Sequence, residues 1–203
     1  MRSPPPRCSR CIPRCRRTVK ELVELIKANP GKYSYASPGT GTPPHLVGEL
    51  FRISLGLDLL HVPFNGGGPA IASTLAGHTP ISFGSTAPAV PLVRDGKLRA
   101  LAVSTKKRSA PLPDIPTMAE AGYPEVTGES WFVVVVPAGT PPDIIALLRR
   151  DIAKVVGLPD MKERLATLGY EPVVSTPKDC AALMKSEMAR WTKVIRDAGI
   201  KGQ

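Results

Sequence analysis

Three times between residues 33 and 95 a short β-prone run is followed by a polar glycine loop and then by a helical stretch. Tyr33 and Tyr35 alternate with Lys32 and Ser34 as a strand, and Ser37-Pro38-Gly39-Thr40-Gly41-Thr42 follows as a loop. Pro43-Pro44 then opens a helix through His45, Leu46, Val47, Leu50 and Phe51, with Gly56 near its end. Leu59–Pro63, Phe64–Gly68 and Pro69–Leu75 repeat the pattern, and so do Ile81–Phe83, Gly84-Ser85-Thr86 and Ala87–Asp95. Gly96 caps that last helix, and Leu98–Val103 reads as a fourth strand. Strands alternating with helices at this spacing predict a mostly parallel α/β sheet, and ligands of such sheets gather at the carboxyl ends of the strands.

The flanks extend the pattern. Thr18-x-x-Glu21 reads as a capping box that opens a helix with Leu22, Val23, Leu25 and Ile26 at helical spacing, and Asn29-Pro30-Gly31 closes it. From Thr105 to Pro116 the chain is charged and proline-bearing, ending at a second capping box, Thr117-x-x-Glu120, as expected of a crossover over 105–124. Residues 130–137 form an apolar run fit for a buried strand. Helices are predicted from Asp143 to about Val156, from Pro159, and from a Ser175-Thr176-Pro177 cap to about Ala198, with a short strand over Glu171–Val174.

Charge narrows the functional classes. The net +10 would suit nucleic acid or an anionic membrane surface, but six arginines (Arg2, Arg7, Arg10, Arg14, Arg16, Arg17) stand in the first 17 residues with no acid among them. The remainder carries +4, a mild balance that fits a small anionic ligand and needs no nucleic acid. No stretch approaches the roughly 20 apolar residues that span a bilayer. Met1–Arg17 has no apolar segment between its arginines, prolines and cysteines, so it does not read as an export signal. Cys8, Cys11 and Cys15 stand as C-x2-C-x3-C, open to two readings: part of a zinc or iron–sulfur site, or an unstructured leader. The fourth cysteine, Cys180, lies far away in a helical pattern, which favours the leader.

The loop at 37–42 carries the most chemical information. Its glycines let backbone N–H groups approach a ligand, the following helix start adds partial positive charge, and Thr40 and Thr42 add hydroxyls, a set suited to carboxylate or phosphate. From spacing alone an ordinary strand-to-helix turn is the favoured reading. The loop lacks G-x4-G-K-[ST], and residues 66–68 lack G-x-G-x-x-G, so nucleotide binding has no support. His45 falls on the first turn after the loop. His61 and His78 have no Cys, Asp or Glu at ligand spacing, and Ser85, Ser130 and Thr140 have no neighbouring His base, so neither a metal site nor an enzyme is expected.

Five segments together resemble the tripartite tricarboxylate transporter (Bug) family of solute-binding proteins. They are TVKELVELIKANPGKYSYASPGTGTPPHLVGELF (18–51), HVPFNGGGPA (61–70), DGKLRALAVST (95–105), LPDIPTMAEAGYP (112–124) and SWFVVVVPAGTP (130–141). The resemblance implies a type II-like periplasmic binding protein with two α/β domains around a cleft. It would capture a small carboxylate (a di- or tricarboxylate, amino acid or aromatic acid) for a membrane permease, without a cofactor and without catalysis. By position it implies a ligand wall of Ser37, Gly39, Thr40, Gly41, Thr42 and His45, completed by Asn65, Gly66 and Gly67 and by Ser85 and Thr86. At 84 and 85 many members carry Asp-Asn where this chain has Gly84-Ser85.

The same resemblance divides the chain into a leader (1–17), most of the second domain (18–104), the crossover (105–124) and a C-terminal contribution to the first domain (125–203). It also implies a longer N-terminal region that nothing here matches. An N-terminally truncated chain of this kind would expose apolar faces around 131–136 and 143–198, a route to homo-oligomers. The resemblance places the protein in the periplasm. Two other readings stay open: a nonfunctional or moonlighting fragment, and a basic nucleic-acid-binding module that uses the arginine-rich leader.

Overall fold

The computed structural model describes residues 17–200, so all of the leader but Arg17, with its three cysteines, lies outside the described residues. Helix α1 (Val19–Lys27) begins where the sequence predicts. Thr18 caps it by accepting the Glu21 N–H at 3.1 Å, while the Glu21 carboxylate accepts from the amide of Arg17, one residue before the position a standard box would use. Its Val19, Leu22, Val23 and Ile26 are buried.

Strands β1 (Tyr33–Ser37), β2 (Leu59–Pro63) and β3 (Ile81–Ser82) form one parallel sheet in the order β2-β1-β3. Helices α2 (Pro43–Ser54), α3 (Gly67–Ala76) and α4 (Thr86–Arg94) each follow one strand. Because β1 is central, the loops that leave all three strands emerge along one edge, the carboxyl edge that parallel topology reserves for ligands. Under them lies a core of Ile26, Tyr33, Tyr35, Val47, Phe51, Leu57, Leu59, Ile81, Met118 and Val126.

The predicted fourth strand over 98–103 does not join the sheet. Its start is consumed in closing α4, with the amides of Lys97 and Leu98 both donating to Leu92 O, and only an isolated bridge pairs Val103 with Thr117. The second capping box is complete, Glu120 N–H to Thr117 Oγ1 at 3.1 Å and Thr117 N–H to Glu120 Oε2 at 2.8 Å. It closes a single turn there, ended by Gly122 at φ +95°.

Beyond the crossover come α5 (Pro142–Val156), α6 (Pro159–Thr167) and α7 (Pro177–Asp197). The last has a full capping box of Thr176 with Asp179. It docks on α2 through Trp191 and Val194, and Arg190 donates to the Thr127 carbonyl and, at 3.1 Å, to Thr127 Oγ1. The runs at 131–136 and 171–174 are not strands. Among the described residues neither finds a ladder partner, and Phe132 (80% exposed), Val134, Val135 and Val173 face outward. No residue of α5 or α6 is buried, so their apolar stripes (Ile144, Leu147, Leu148, Ile152) also lie uncovered. No helix among the described residues is long and apolar enough to cross a membrane.

Helix α2 approaches β1 closely because residue 48 has no side chain. A Cβ on Gly48 would lie 2.5 Å from Cε2 of Tyr35, whose ring is wholly buried, with His61 4.9 Å away and Phe83 5.3 Å away by centroid. Alanine gains about 1 kcal/mol in helix propensity, but overpacking a fixed ring costs about 1–3 kcal/mol. Gly48→Ala is therefore expected to destabilise the fold by up to about 2 kcal/mol, read as a lower urea midpoint at unchanged m-value.

Candidate functional site

The three carboxyl-edge loops are tied to one another by backbone. Phe64 N–H donates to Ser37 O at 3.0 Å, Gly66 N–H to Pro38 O at 2.9 Å, and Phe83 N–H to Ala36 O at 2.9 Å. The β1–α2 loop is folded on itself. Gly39 (φ +145°) and Gly41 (φ +78°) occupy backbone regions that L side chains rarely adopt. Gly39 N–H reaches Ser37 Oγ at 3.2 Å, Gly41 N–H reaches His45 Nδ1 at 3.0 Å, and Thr42 donates to Gly39 O from its hydroxyl at 2.7 Å and from its amide at 3.3 Å.

This internal bonding changes the inventory of donors. The glycine loop expected to cradle an anion has already spent the amides of Gly39, Gly41 and Thr42, and Pro43 and Pro44 remove two further N–H groups from the first turn of α2. Helices α3 and α4 carry their first proline later, at Pro69 and Pro88, and keep the amides of Gly67 and Gly68 and of Thr86 and Ala87. The Ser85 hydroxyl does not cap α4, and Ser85 is exposed. The donor-rich part of the edge is thus the start of α4, with α3 beside it.

The predicted residues separate into three sets, one on each of two spaces and a third, which includes Gly39 and Gly41, that lines neither. Thr42, Ser85 and Thr86, with Pro38 and Gly84, line an open cleft of about 1040 Å³ that runs past the edge of β3 to Ser130, Trp131, Phe132 and Tyr170. Gly169 stands beside Thr86, and Phe132 meets Tyr170 edge to face at 5.5 Å. Thr40 and His45 instead line a separate hollow of about 330 Å³ behind the loop, with Glu49, Arg52, His61 and the end of α7. His45 is buried and aimed away from the larger cleft. Ser37 is fully buried beneath the loop, and Asn65 and Gly66 on the tied β2–α3 loop and Gly67 at the start of α3 lie outside both spaces.

Sequence reasoning passed over the network under the loop. The Tyr35 hydroxyl donates to Glu49 Oε1 at 2.6 Å, and Arg52 donates to Glu49 Oε2 from Nε at 2.8 Å and from Nη2 at 2.6 Å. Burial, and then the Glu49 carboxylate, push the Tyr35 phenol far above its usual range, and the hydrogen bond to Glu49 raises the Arg52 guanidinium. The rings of His45 and His61 stack with centroids 3.9 Å apart, and His61 Nε2 lies 2.7 Å from Ser37 Oγ. Desolvation holds both imidazoles below the usual histidine range, His61 at about 4 with the neighbouring His45 adding to the effect. The spacing His45-x3-Glu49-x2-Arg52, a polar stripe on a helix otherwise apolar on that side, is the feature that marks this network in the sequence.

Ser37 and His61 have the hydrogen-bond distance of a nucleophile and its base, yet Ser37 has no exposed surface and, among the described residues, no carboxylate orients His61. The pair supports the loop.

The chain matches the tripartite tricarboxylate transporter family receptor over residues 13–200. BugT of Bordetella pertussis is 37% identical over 184 residues, which cover 91% of this chain and 56% of BugT. A solved periplasmic transporter superposes with a TM-score of 0.82 at 34% identity, over 92% of this chain and 62% of that one. An R. palustris protein with adipate superposes at 0.79 and 33% identity over the same shares. The chain therefore spans little more than half the length of these relatives. With that match, and with the parallel α/β architecture of periplasmic binding proteins, the chain belongs to the tripartite tricarboxylate transporter receptor (Bug) family of periplasmic solute-binding proteins.

Proposed function

We propose that this chain captures a small aliphatic dicarboxylate in the periplasm and hands it to the membrane permease of a tripartite tricarboxylate transporter. The observation that carries the reading is the start of α4 at the cleft. There the exposed Ser85 hydroxyl, the Thr86 side chain and the uncommitted amides of Thr86 and Ala87 line the same cleft as Thr42. A carboxylate at that point accepts charge-assisted hydrogen bonds and meets the positive end of the helix. The tied loops keep this edge rigid, so little ordering cost falls on binding. Gly39 and Gly41 shape the wall, Ser37 and His45 hold it from behind, Gly66 ties the neighbouring loop to it, and Asn65 with the amides of Gly67 and Gly68 supplies a second donor set one loop away. The adipate in the R. palustris relative supports a linear diacid as the class. Trp131, Phe132 and Tyr170 along the same cleft suit its methylene chain.

Thermal unfolding of the purified chain with a series of mono-, di- and tricarboxylates tests the reading. A dicarboxylate at a hundredfold its dissociation constant is expected to stabilise the fold by about 2.7 kcal/mol. Thr86→Val with Ser85→Ala is expected to weaken that ligand by roughly tenfold or more through lost hydrogen bonds to a charged group. An equal response to every anion, or none to any, contradicts the proposal.

A further inference from the structure

The β1–α2 loop is supported from behind by two imidazoles, and the support depends on their charge. His45 Nδ1 accepts the Gly41 N–H at 3.0 Å, and a ring nitrogen accepts only while it carries no proton. The proton of the neutral ring therefore sits on Nε2. His61 lies on that ring, its plane tilted by 24°, and its Nε2 meets Ser37 Oγ at 2.7 Å. That oxygen also accepts the Gly39 N–H. The two histidines thus fix, directly or through Ser37, both glycines whose positive φ gives the loop its shape.

We infer that His45 and His61 are positioning residues that latch the Ser37–Thr42 loop beside the ligand cleft at neutral pH and release it on acidification. The inference rests on the proposed carboxylate site and assigns it a regulation.

The surroundings of the pair explain why a proton would open the latch. From α2, Glu49 and Arg52 face the rings; from β1, Tyr35 and Ser37; from the loop, Thr40. The end of α7 contributes Ala198, Gly199 and Ile200, which carry no side-chain charge. Glu49 is the acid that could stabilise an imidazolium, and it is committed to Arg52 and to the Tyr35 hydroxyl. A second imidazolium would sit 3.9 Å from the first, with both rings already partly withdrawn from water. The sign follows from linkage. A free histidine titrates near 6.5, whereas in the latched loop both rings are held lower, His61 at about 4 and both chiefly by burial. Between those values the released loop binds protons that the latched loop does not, so falling pH favours release.

Amide exchange and imidazole shifts of the 15N-labelled chain test this without ligand. At pH 7.5 the His45 nitrogens should report a bare Nδ1 and a protonated Nε2. The Gly41 amide should be protected, and its protection factor should fall roughly tenfold by pH 5, as for the loss of one hydrogen bond, while that of Ile26 in α1 stays unchanged. His45→Asn, which offers a carbonyl oxygen near the Nδ1 position, should keep Gly41 protected at both pH values. His45→Phe should lose protection at both. Gly41 protection that ignores pH in the parent chain, or that survives His45→Phe, overturns the latch. Adipate calorimetry at pH 7.5 separates the two readings, since a working latch in a chain that binds no diacid would overturn only the site.

Discussion

The contact on which the rest of the structure depends is the seat of α2 on the ring of Tyr35. That ring stands at the centre of the sheet, stacked on His61, edged by Phe83 and covered by the bare backbone of Gly48. Its hydroxyl is bonded to the buried Glu49, and Glu49 to Arg52. An unpaired charge at this depth would cost several kcal/mol, so the triad forms as a unit or not at all. Its formation fixes both the height and the rotation of α2. The loop between β1 and α2 has no freedom left beyond its own five residues, 38–42.

Those residues then spend most of their donors on one another and on the flanking Ser37 and His45. The result differs from the common picture of a glycine loop wrapped around an anion. Pro43 and Pro44 preset the backbone for helix entry and remove the amides that would have pointed at a ligand, so the loop acts as a shaped, pre-bonded wall. The capacity to bind charge moves to the neighbouring helix starts, chiefly α4. Backbone bonds from Phe64, Gly66 and Phe83 make this division of labour mechanically consistent, because the wall and the donors belong to one tied edge.

The periodic half of the fold was legible in the sequence. The three strand–loop–helix units announced themselves through alternating tyrosines, glycine clusters and first-turn prolines, and β2 spans the predicted residues. The runs at 98–103, 131–136 and 171–174 read as strands because β-propensity describes a half-buried pleated surface. Propensity makes no ladder without an edge to pair with, and among the described residues these runs have none beyond the Val103–Thr117 bridge. At the site, glycine and hydroxyl spacing singled out the β1–α2 loop, whereas Ser85 and Thr86 at the α4 start were named only through the resemblance to the family. His61 was passed over because its partners, Ser37 and His45, come to it through β-sheet register, with Tyr35 paired to His61 across β1 and β2. Register of that kind leaves no local mark.

The place along the carboxyl edge where an anion is held decides the function of the cleft. A 15N–1H correlation titration of the chain with adipate at pH 7.5 reads that directly. The amides of Thr86 and Ala87 should move most, those of Gly67 and Gly68 less, and those of α5 and α6 not at all. Saturable shifts confined to Gly39–Thr42, or spread over the uncovered face of α5 and α6, would contradict the assignment of the binding edge to α4.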